Sequence, residues 1–148
     1  MADPGRHPRF NHVALSLPAE LLDAAHRADI LSFYGEVFGW EEMPTMTADR
    51  ERLVLKAHSF EEFVFLVKEE APMSCARLDH FGMSVATPAD LDAIYERARA
   101  YRQRDDRVEI LDRALEDHGV LKLHSFYVRF LLPMMVEVQC FEWQGPRP

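Results

Sequence analysis

The segment from Asp79 to Asp90 reads DHFGMSVATPAD and decides the fold. Its first half alternates apolar and polar side chains with a period of two, which is typical of a strand with one buried face. The apolar face is Phe81, Met83 and Val85, and the opposite face is His80, Gly82 and Ser84. Thr87, Pro88 and Asp90 then supply an N-cap, a proline at the first helical position and an acidic third residue. The segment therefore predicts a strand followed directly by a helix.

The same pattern occurs earlier, in residues 10–17, which read FNHVALSL. One face there is Val13, Leu15 and Leu17, and the other is His12, Ala14 and Ser16. Each of the two strands precedes an apolar stripe with helical spacing. The stripes are Ile30, Leu31, Tyr34, Val37 and Phe38, closed by Gly39, and Leu91, Ile94, Tyr95, Ala98 and Tyr101. The chain thus begins again at residue 79.

Three strand candidates follow each helix. They are residues 40–47, 52–58 and 62–68, separated by turns at 48–50 and 59–61, and residues 108–113, 120–131 and 135–143. We predict an α+β fold of two βαβββ modules, residues 10–70 and 79–143, with a linker at 71–78 and tails at 1–9 and 144–148. Two such sheets bury their helix-facing sides separately, so their other faces can enclose a site together.

Composition narrows the class of protein. With 148 residues, 48% of them hydrophobic, the chain suits one compact domain. Its net charge of −8 disfavours nucleic acid as a partner. No apolar run approaches the length of a membrane span, and the first nine residues contain no apolar signal segment. Cys75 and Cys140 form no disulfide framework. We expect a cytoplasmic protein.

Glu137 is the residue that first suggests chemistry. It lies between Val136 and Val138 in a predicted strand, where a carboxylate needs a cation, a hydrogen bond or water. If the two sheets close face to face, His12, His80 and Glu137 can meet around one divalent metal ion. Two imidazoles and one carboxylate leave adjacent coordination positions open for substrate and for oxygen or water.

Four segments of the chain carry a resemblance to a known family: NHVALSL, ILSFYGEVFGWEEM, DHFGMSVATPADLDAIYERA, and FYVRF through VEVQ. They resemble the vicinal oxygen chelate superfamily of glyoxalases, bleomycin resistance proteins and extradiol dioxygenases. That resemblance implies metal ligands on the first and last strands of each half, which gives His12, His80 and Glu137. The fourth position falls in EEFVFLVKEE, where only Glu69 at the strand's end is a candidate. A set of three ligands is similar to that of the iron-dependent dioxygenases.

The resemblance also implies an acid–base pair. His118 and Tyr127 precede Glu137 at a spacing similar to that of the dioxygenases' catalytic histidine and tyrosine, and His124 is an alternative to His118. Before Glu137 the chain reads RFLLPMMV, without the family's Asp-Pro-x-Gly turn.

Further residues are candidates for contact with a substrate. They are His58, Phe65, Arg129 and Gln139. Phe65 also suits a plain core position, and His58 also suits the surface. The basic run from Arg97 to Arg107 reads as a solvated helix face.

These patterns favour a metal-dependent enzyme, and the resemblance implies that it acts on a small molecule with vicinal oxygens, with dioxygenase-like chemistry as the favoured reaction. Fe(II) is the favoured ion, and Mn, Zn or Ni also suit imidazole and carboxylate ligands. Two alternatives stay open: a non-catalytic protein that sequesters a small molecule or antibiotic, and a lyase or isomerase. We also expect a homodimer, because eight strands leave sheet edges and faces to cover.

Overall fold

A computed structural model describes residues 7–47 and 51–147 of the chain. The predicted turn at 48–50 lies outside the described residues. The first half consists of β1 (His12–Leu17), α1 (Ala24–Phe38), β2 (Glu41–Glu42), β3 (Arg52–Lys56) and β4 (Phe63–Lys68). Short 3-10 turns span Ala19–Leu22 and Pro44–Met46. The four strands form one sheet in the order β1-β4-β3-β2.

The second half repeats this order. It consists of β5 (His80–Val85), α2 (Pro88–Arg102), β6 (Glu109–Asp117), β7 (Leu121–Arg129) and β8 (Met135–Trp143). Its sheet has the order β5-β8-β7-β6. In each sheet the first strand pairs in parallel with the last, and the remaining pairs are antiparallel. The predicted α+β fold of two βαβββ modules is confirmed.

Local sequence explains where the helices begin and end. Asp23 caps α1 by accepting a hydrogen bond from the His26 amide, and Gly39 ends this helix with a φ of 74°. Thr87 and Asp90 form the predicted capping box at the start of α2. These caps fix the start of each helix, after a 3-10 turn in the first module and shortly after β5 in the second.

The two modules pack tightly through α1. The Tyr34 hydroxyl is fully buried; it donates a hydrogen bond of 3.0 Å to the Phe130 carbonyl and accepts one of 3.3 Å from the Phe130 amide. The Tyr101 hydroxyl on α2 donates to Ser32 Oγ on α1 at 3.0 Å. Phe33, also fully buried, packs between these elements, edge to face against the Tyr101 ring and tilted against the Phe130 ring. One continuous apolar core therefore joins the halves.

Some predicted elements differ in the structure. The strand expected at 40–47 is only Glu41–Glu42, because Pro44 has no amide to continue the ladder and a 3-10 turn follows. β6 extends to Asp117 and contains a bulge between Leu111 and Ala114.

The basic run of α2 is also not simply a solvated face. Arg97 donates to the Val37 carbonyl, Arg104 pairs with Glu36, and Arg107 pairs with Asp29. These arginines fasten α2 and the segment after it to α1. No helix in the described part of the chain has the length and apolar character needed to span a bilayer.

Candidate functional site

The second sheet turns one face toward α2 and leaves the other open. On the open face Glu137 lies in the middle of β8, with Gly82 of β5 on one side and Tyr127 of β7 on the other in the strand register. Glu137 is buried although its neighbour Gly82 has no side chain. The carboxylate is therefore largely shielded from solvent, with 9% of its side chain exposed.

His80 faces this carboxylate. Its Nε2 lies 3.2 Å from Glu137 Oε2, and its Nδ1 lies 2.8 Å from the Leu78 carbonyl oxygen. Because a carbonyl can only accept, Nδ1 carries a proton, and in the neutral ring Nε2 presents a lone pair to the carboxylate. Two acceptors at this distance require a proton or a cation between them. A histidine oriented by a carbonyl in this way suits a divalent metal ion.

Tyr127 lies beside both groups. Its ring meets the His80 ring edge to face at a centroid distance of 5.0 Å. Burial, a hydrogen bond to Glu137 and the negative charge of Glu137 raise the pKa of Tyr127 to about 12. The phenol therefore stays protonated at neutral pH and acts as a donor to the Glu137 carboxylate.

His12 has the same tautomer but lies on the other sheet. Its Nδ1 is 2.7 Å from Asn11 Oδ1, and its ring stacks on Phe63 at 4.9 Å with an interplanar angle of 8°. Among residues 7–47 and 51–147, no three His, Cys, Asp or Glu side chains lie close enough to hold one metal ion. The structure thus brings together His80 and Glu137 within one chain, and not His12.

The fourth ligand position can be located from the internal repeat. His80 pairs with Met135 and Gly82 with Glu137, while His12 pairs with Phe63 and Ala14 with Phe65. Phe65 therefore occupies the place in the first module that Glu137 occupies in the second, and a phenyl ring binds no metal.

Glu69 does not replace it. Glu69 follows Lys68, which pairs with Leu17 at the far end of β1 from His12. The two ends of this six-residue strand are about 17 Å apart. Glu69 is excluded as a ligand that acts together with His12.

The two candidate acid–base histidines do not contact Tyr127. His124 lies three residues from Tyr127, and the alternation of the strand places it on the helix-facing side of β7. There it is buried, with Nε2 at 2.6 Å from Glu142 Oε2 and Nδ1 at 3.0 Å from an Arg113 nitrogen. This placement argues against catalysis by His124. The sequence already indicated it, because two residues three apart in one strand lie on opposite faces of the sheet.

His118 lies on the exposed turn between β6 and β7. Its Nε2 is 3.2 Å from Glu116 Oε2. The turn precedes Leu121, so six residues of strand, about 20 Å, separate it from Tyr127.

The candidate substrate residues lie in different places. Gln139 is on the open face, where its Oε1 approaches the position of a Cβ on Gly82 to 3.9 Å. Phe65 lies under the Arg52 guanidinium on the open face of the first sheet. His58 lines a crevice of about 470 Å³ between the modules, together with His12 on one side and Ser84 on the other.

Arg129 is on the open face of β7 and pairs at 2.5 Å with Glu109, which also pairs at 2.9 Å with Arg77. Sequence reasoning missed Arg77 and Glu109, because the linker that carries Arg77 has no periodicity to indicate a face.

Comparisons with known proteins address the fold. No family model and no curated protein matches the sequence. Many solved structures share the fold, among them three from different bacteria. A protein assigned to the glyoxalase family from Bacillus anthracis is 20% identical, with a TM-score of 0.62, over 92% of this chain and 97% of its own. A lactoylglutathione lyase from Agrobacterium tumefaciens is 19% identical, with a TM-score of 0.59, over 91% and 95%.

The third is the fosfomycin resistance protein FosX from Listeria monocytogenes, which is 14% identical, with a TM-score of 0.60, over 89% of this chain and 90% of its own. These neighbours are members of the vicinal oxygen chelate superfamily. Each covers nearly the whole chain, both modules included. The chain therefore has the paired βαβββ fold of the glyoxalase, bleomycin resistance and fosfomycin resistance proteins.

Proposed function

We propose that this protein is a metal-dependent enzyme that acts on a small substrate with two neighbouring oxygens, with dioxygenase-like chemistry. One observation carries the proposal: His80 Nε2 and the Glu137 carboxylate face each other at 3.2 Å. The hydrogen bond from His80 Nδ1–H to the Leu78 carbonyl keeps the ring proton on the other nitrogen. The two groups form half of a site that a cation would complete.

The donor set fits a divalent ion. His80, Glu137 and a second imidazole, His12, would hold it, with Fe(II) favoured and Mn, Zn or Ni also suited to nitrogen and oxygen donors. When bound, such an ion lowers the pKa of a coordinated hydroxyl and orders substrate and oxygen in adjacent positions.

The chain's own residues supply position and protons. The Tyr127 phenol keeps its proton at neutral pH and fixes the Glu137 carboxylate by hydrogen bonding. Gly82 leaves space on the sheet face beside Glu137, since in the described part of the chain only Gln139 comes within 4 Å of a Cβ placed on Gly82, apart from its chain neighbours. The Gln139 amide can donate to or accept from a substrate oxygen at that place.

We further propose a homodimer in which His12 of a second copy completes the site. Within one chain, a crevice lies between β1 and β5. Its closure would have to move modules that are joined by the buried Tyr34 and Phe130 contacts. Those contacts hold the two modules in a fixed orientation. A second copy of the chain is therefore the simpler source of the missing imidazole.

A sequestering protein is the second candidate. The crevice between the modules is lined by the aromatic side chains of Phe10, Phe38, Trp40, Phe63 and Phe81. Such walls suit a small apolar or aromatic molecule without any metal. The lyase reading is weaker, because Phe65 stands where a fourth acidic ligand would be needed.

Metal content separates these functions. Protein purified without chelators should carry one divalent ion per site, and the anaerobically iron-loaded form should consume oxygen with a catechol. His80→Ala and Glu137→Gln should each reduce metal affinity by orders of magnitude, because each removes one ligand. Tight binding of a small aromatic molecule by metal-free protein, with the same negligible metal in the parent and both variants, would instead support sequestration.

A further inference from the structure

Two arginines share one glutamate at the edge of the open face. Glu109 Oε2 lies 2.5 Å from an Arg129 nitrogen, and Glu109 Oε1 lies 2.9 Å from an Arg77 nitrogen. Each guanidinium group engages Glu109 through one nitrogen, so both arginines keep further N–H donors for another oxygen acceptor. The Arg77 side chain is 63% exposed, and Arg129 and Glu109 are each 28% exposed. These donors are therefore accessible from solvent.

The cluster lies next to the proposed metal site. Arg129 follows Tyr127 by two residues on the same face of β7, a separation of about 7 Å. β7 and β5 are separated by β8, so His80 is two strand spacings away, roughly 10 Å. Arg77 belongs to the linker turn whose next residue, Leu78, orients His80. A small molecule bound at His80 and Glu137 would reach the guanidinium groups.

Other arginines of the chain are matched differently. Arg99 pairs with Glu96, Arg104 with Glu36 and Arg113 with Asp92, each with a carboxylate of its own. The whole chain carries a net charge of −8. Two guanidinium groups that share one carboxylate are therefore a local feature of this edge, and paired guanidinium groups are the usual partners of planar or tetrahedral oxyanions.

We infer that Arg77 and Arg129 bind an oxyanionic substituent of the substrate, a carboxylate or a phosphonate, and that Glu109 competes with it. The assignment to a substrate rests on the proposed function. Glu109 holds both guanidinium groups in place when no anion is present, and the incoming oxyanion takes over one or both of its ion pairs.

Because Glu109 competes with the anion, its substitution should change the anion affinity in the opposite direction to substitution of the arginines. Binding of methylphosphonate and of acetate to the metal-free protein would be followed by NMR titration. Arg77→Gln and Arg129→Gln should each weaken binding by about tenfold or more, since a charge-assisted hydrogen bond is lost. Glu109→Gln should strengthen binding several-fold, because it frees both guanidinium groups. Methylphosphonate should bind more tightly than acetate if the site favours the more highly charged oxyanion; the reverse order would assign the site to carboxylates.

Matched variants control for charge and folding. Arg99→Gln makes the same change in net charge on the outer face of α2 and should leave both affinities unchanged. Arg129→Lys keeps the charge but removes the bidentate geometry, and it should also weaken binding in a folded protein. A merely structural cluster would give lower melting temperatures without tighter binding by Glu109→Gln. That result, or the absence of binding to the parent protein, would overturn the inference.

The outcome is independent of the metal site. Arg77→Gln and Arg129→Gln should keep the metal content of the parent, because neither residue is a proposed ligand. If the anion results hold while the parent binds no metal, the oxyanion site stands and the enzymatic proposal fails. If metal binds as proposed while none of the three substitutions changes the anion affinities, only the inference of an oxyanion site is overturned.

Discussion

The role open to each histidine depends on which of its two ring nitrogens carries the proton. The Nδ1–H of His80 donates a hydrogen bond to the Leu78 carbonyl, and the Nδ1–H of His12 donates one to Asn11 Oδ1. In both rings Nε2 is left as the acceptor. His124 differs, because a guanidinium donor of Arg113 faces its Nδ1, so Nε2 carries the proton and donates it to Glu142. His80 and His12 therefore present the ring nitrogen that the proposed metal site requires, whereas His124 uses its Nε2 as a hydrogen-bond donor.

This difference predicts opposite phenotypes for two alanine variants. His124→Ala should lower the free energy of unfolding by about 1–3 kcal/mol, because the buried imidazole is removed and its partly exposed partners Arg113 and Glu142 lose their hydrogen bonds. It should leave metal content unchanged. His80→Ala should abolish metal binding with little effect on stability, since His80 is more than a third exposed and lies beside Gly82. Urea unfolding and elemental analysis of the same preparations measure both effects.

Glu137 should also control the titration of Tyr127. Burial is the largest cause of the pKa of about 12, and the hydrogen bond and charge of Glu137 raise it further. Glu137→Gln removes that charge, so the pKa of Tyr127 should fall toward the ordinary value of 10. Ultraviolet difference titration would follow the phenolate, and Tyr127→Phe would identify the transition. An unchanged titration curve would mean that the two groups do not interact.

At the scale of elements, Tyr34 connects α1 to the end of β7. Its hydroxyl satisfies both the amide and the carbonyl of Phe130 inside the core. Tyr34→Phe would leave both backbone groups buried without a partner, and we expect a loss of about 1–3 kcal/mol in the free energy of unfolding. Tyr95→Phe is the matched control, because the Tyr95 hydroxyl donates to Asp112 at an exposed position. Equal losses for both variants would contradict the role of Tyr34.

The same residue predicts an alkaline limit of stability. Burial raises the pKa of Tyr34 well above its ordinary value of 10. The folded chain therefore holds this proton more tightly than the unfolded chain. The corresponding stability is fully present below pH 10 and is lost as the pH rises above it. Tyr34→Phe should have lower stability at neutral pH but a smaller decline in strong alkali, which thermal unfolding at a series of pH values would show.

Elements also show what the sequence could predict. The alternation around His80 and His12, the Thr87 cap and the Gly39 stop are local signals, and each element that they predict is present. The prediction of a strand over residues 40–47 was wrong beyond Glu42, because Pro44 interrupts the hydrogen-bonded ladder. The Arg77 and Glu109 pair could not be predicted, since the conformation of a linker depends on tertiary contacts. The placement of Phe65 opposite Glu137 required the register of two sheets, which no single strand specifies.

At the scale of the whole molecule, the duplication produces two unequal faces. The second sheet carries His80, Tyr127 and Glu137 on its open face, while the first carries His12 among phenylalanines. Under the proposed function, each module alone would supply only part of the metal site. The modules of one chain are joined by buried contacts around Tyr34, so the proposed assembly of two copies is the arrangement that would unite the two faces.

Mixing of two inactive variants tests this assembly. His12→Ala and His80→Ala should each bind little metal as homodimers, because every site then lacks a ligand. In a mixed dimer, one site combines two altered residues and the other combines an intact His12 with an intact His80 and Glu137. Refolding the two variants together should therefore restore metal to one of the two sites in each mixed dimer. Sedimentation at micromolar concentration should show dimers for the parent and both variants. If each site were built within a single chain, mixing would restore nothing, because every chain would still lack one of its own histidines.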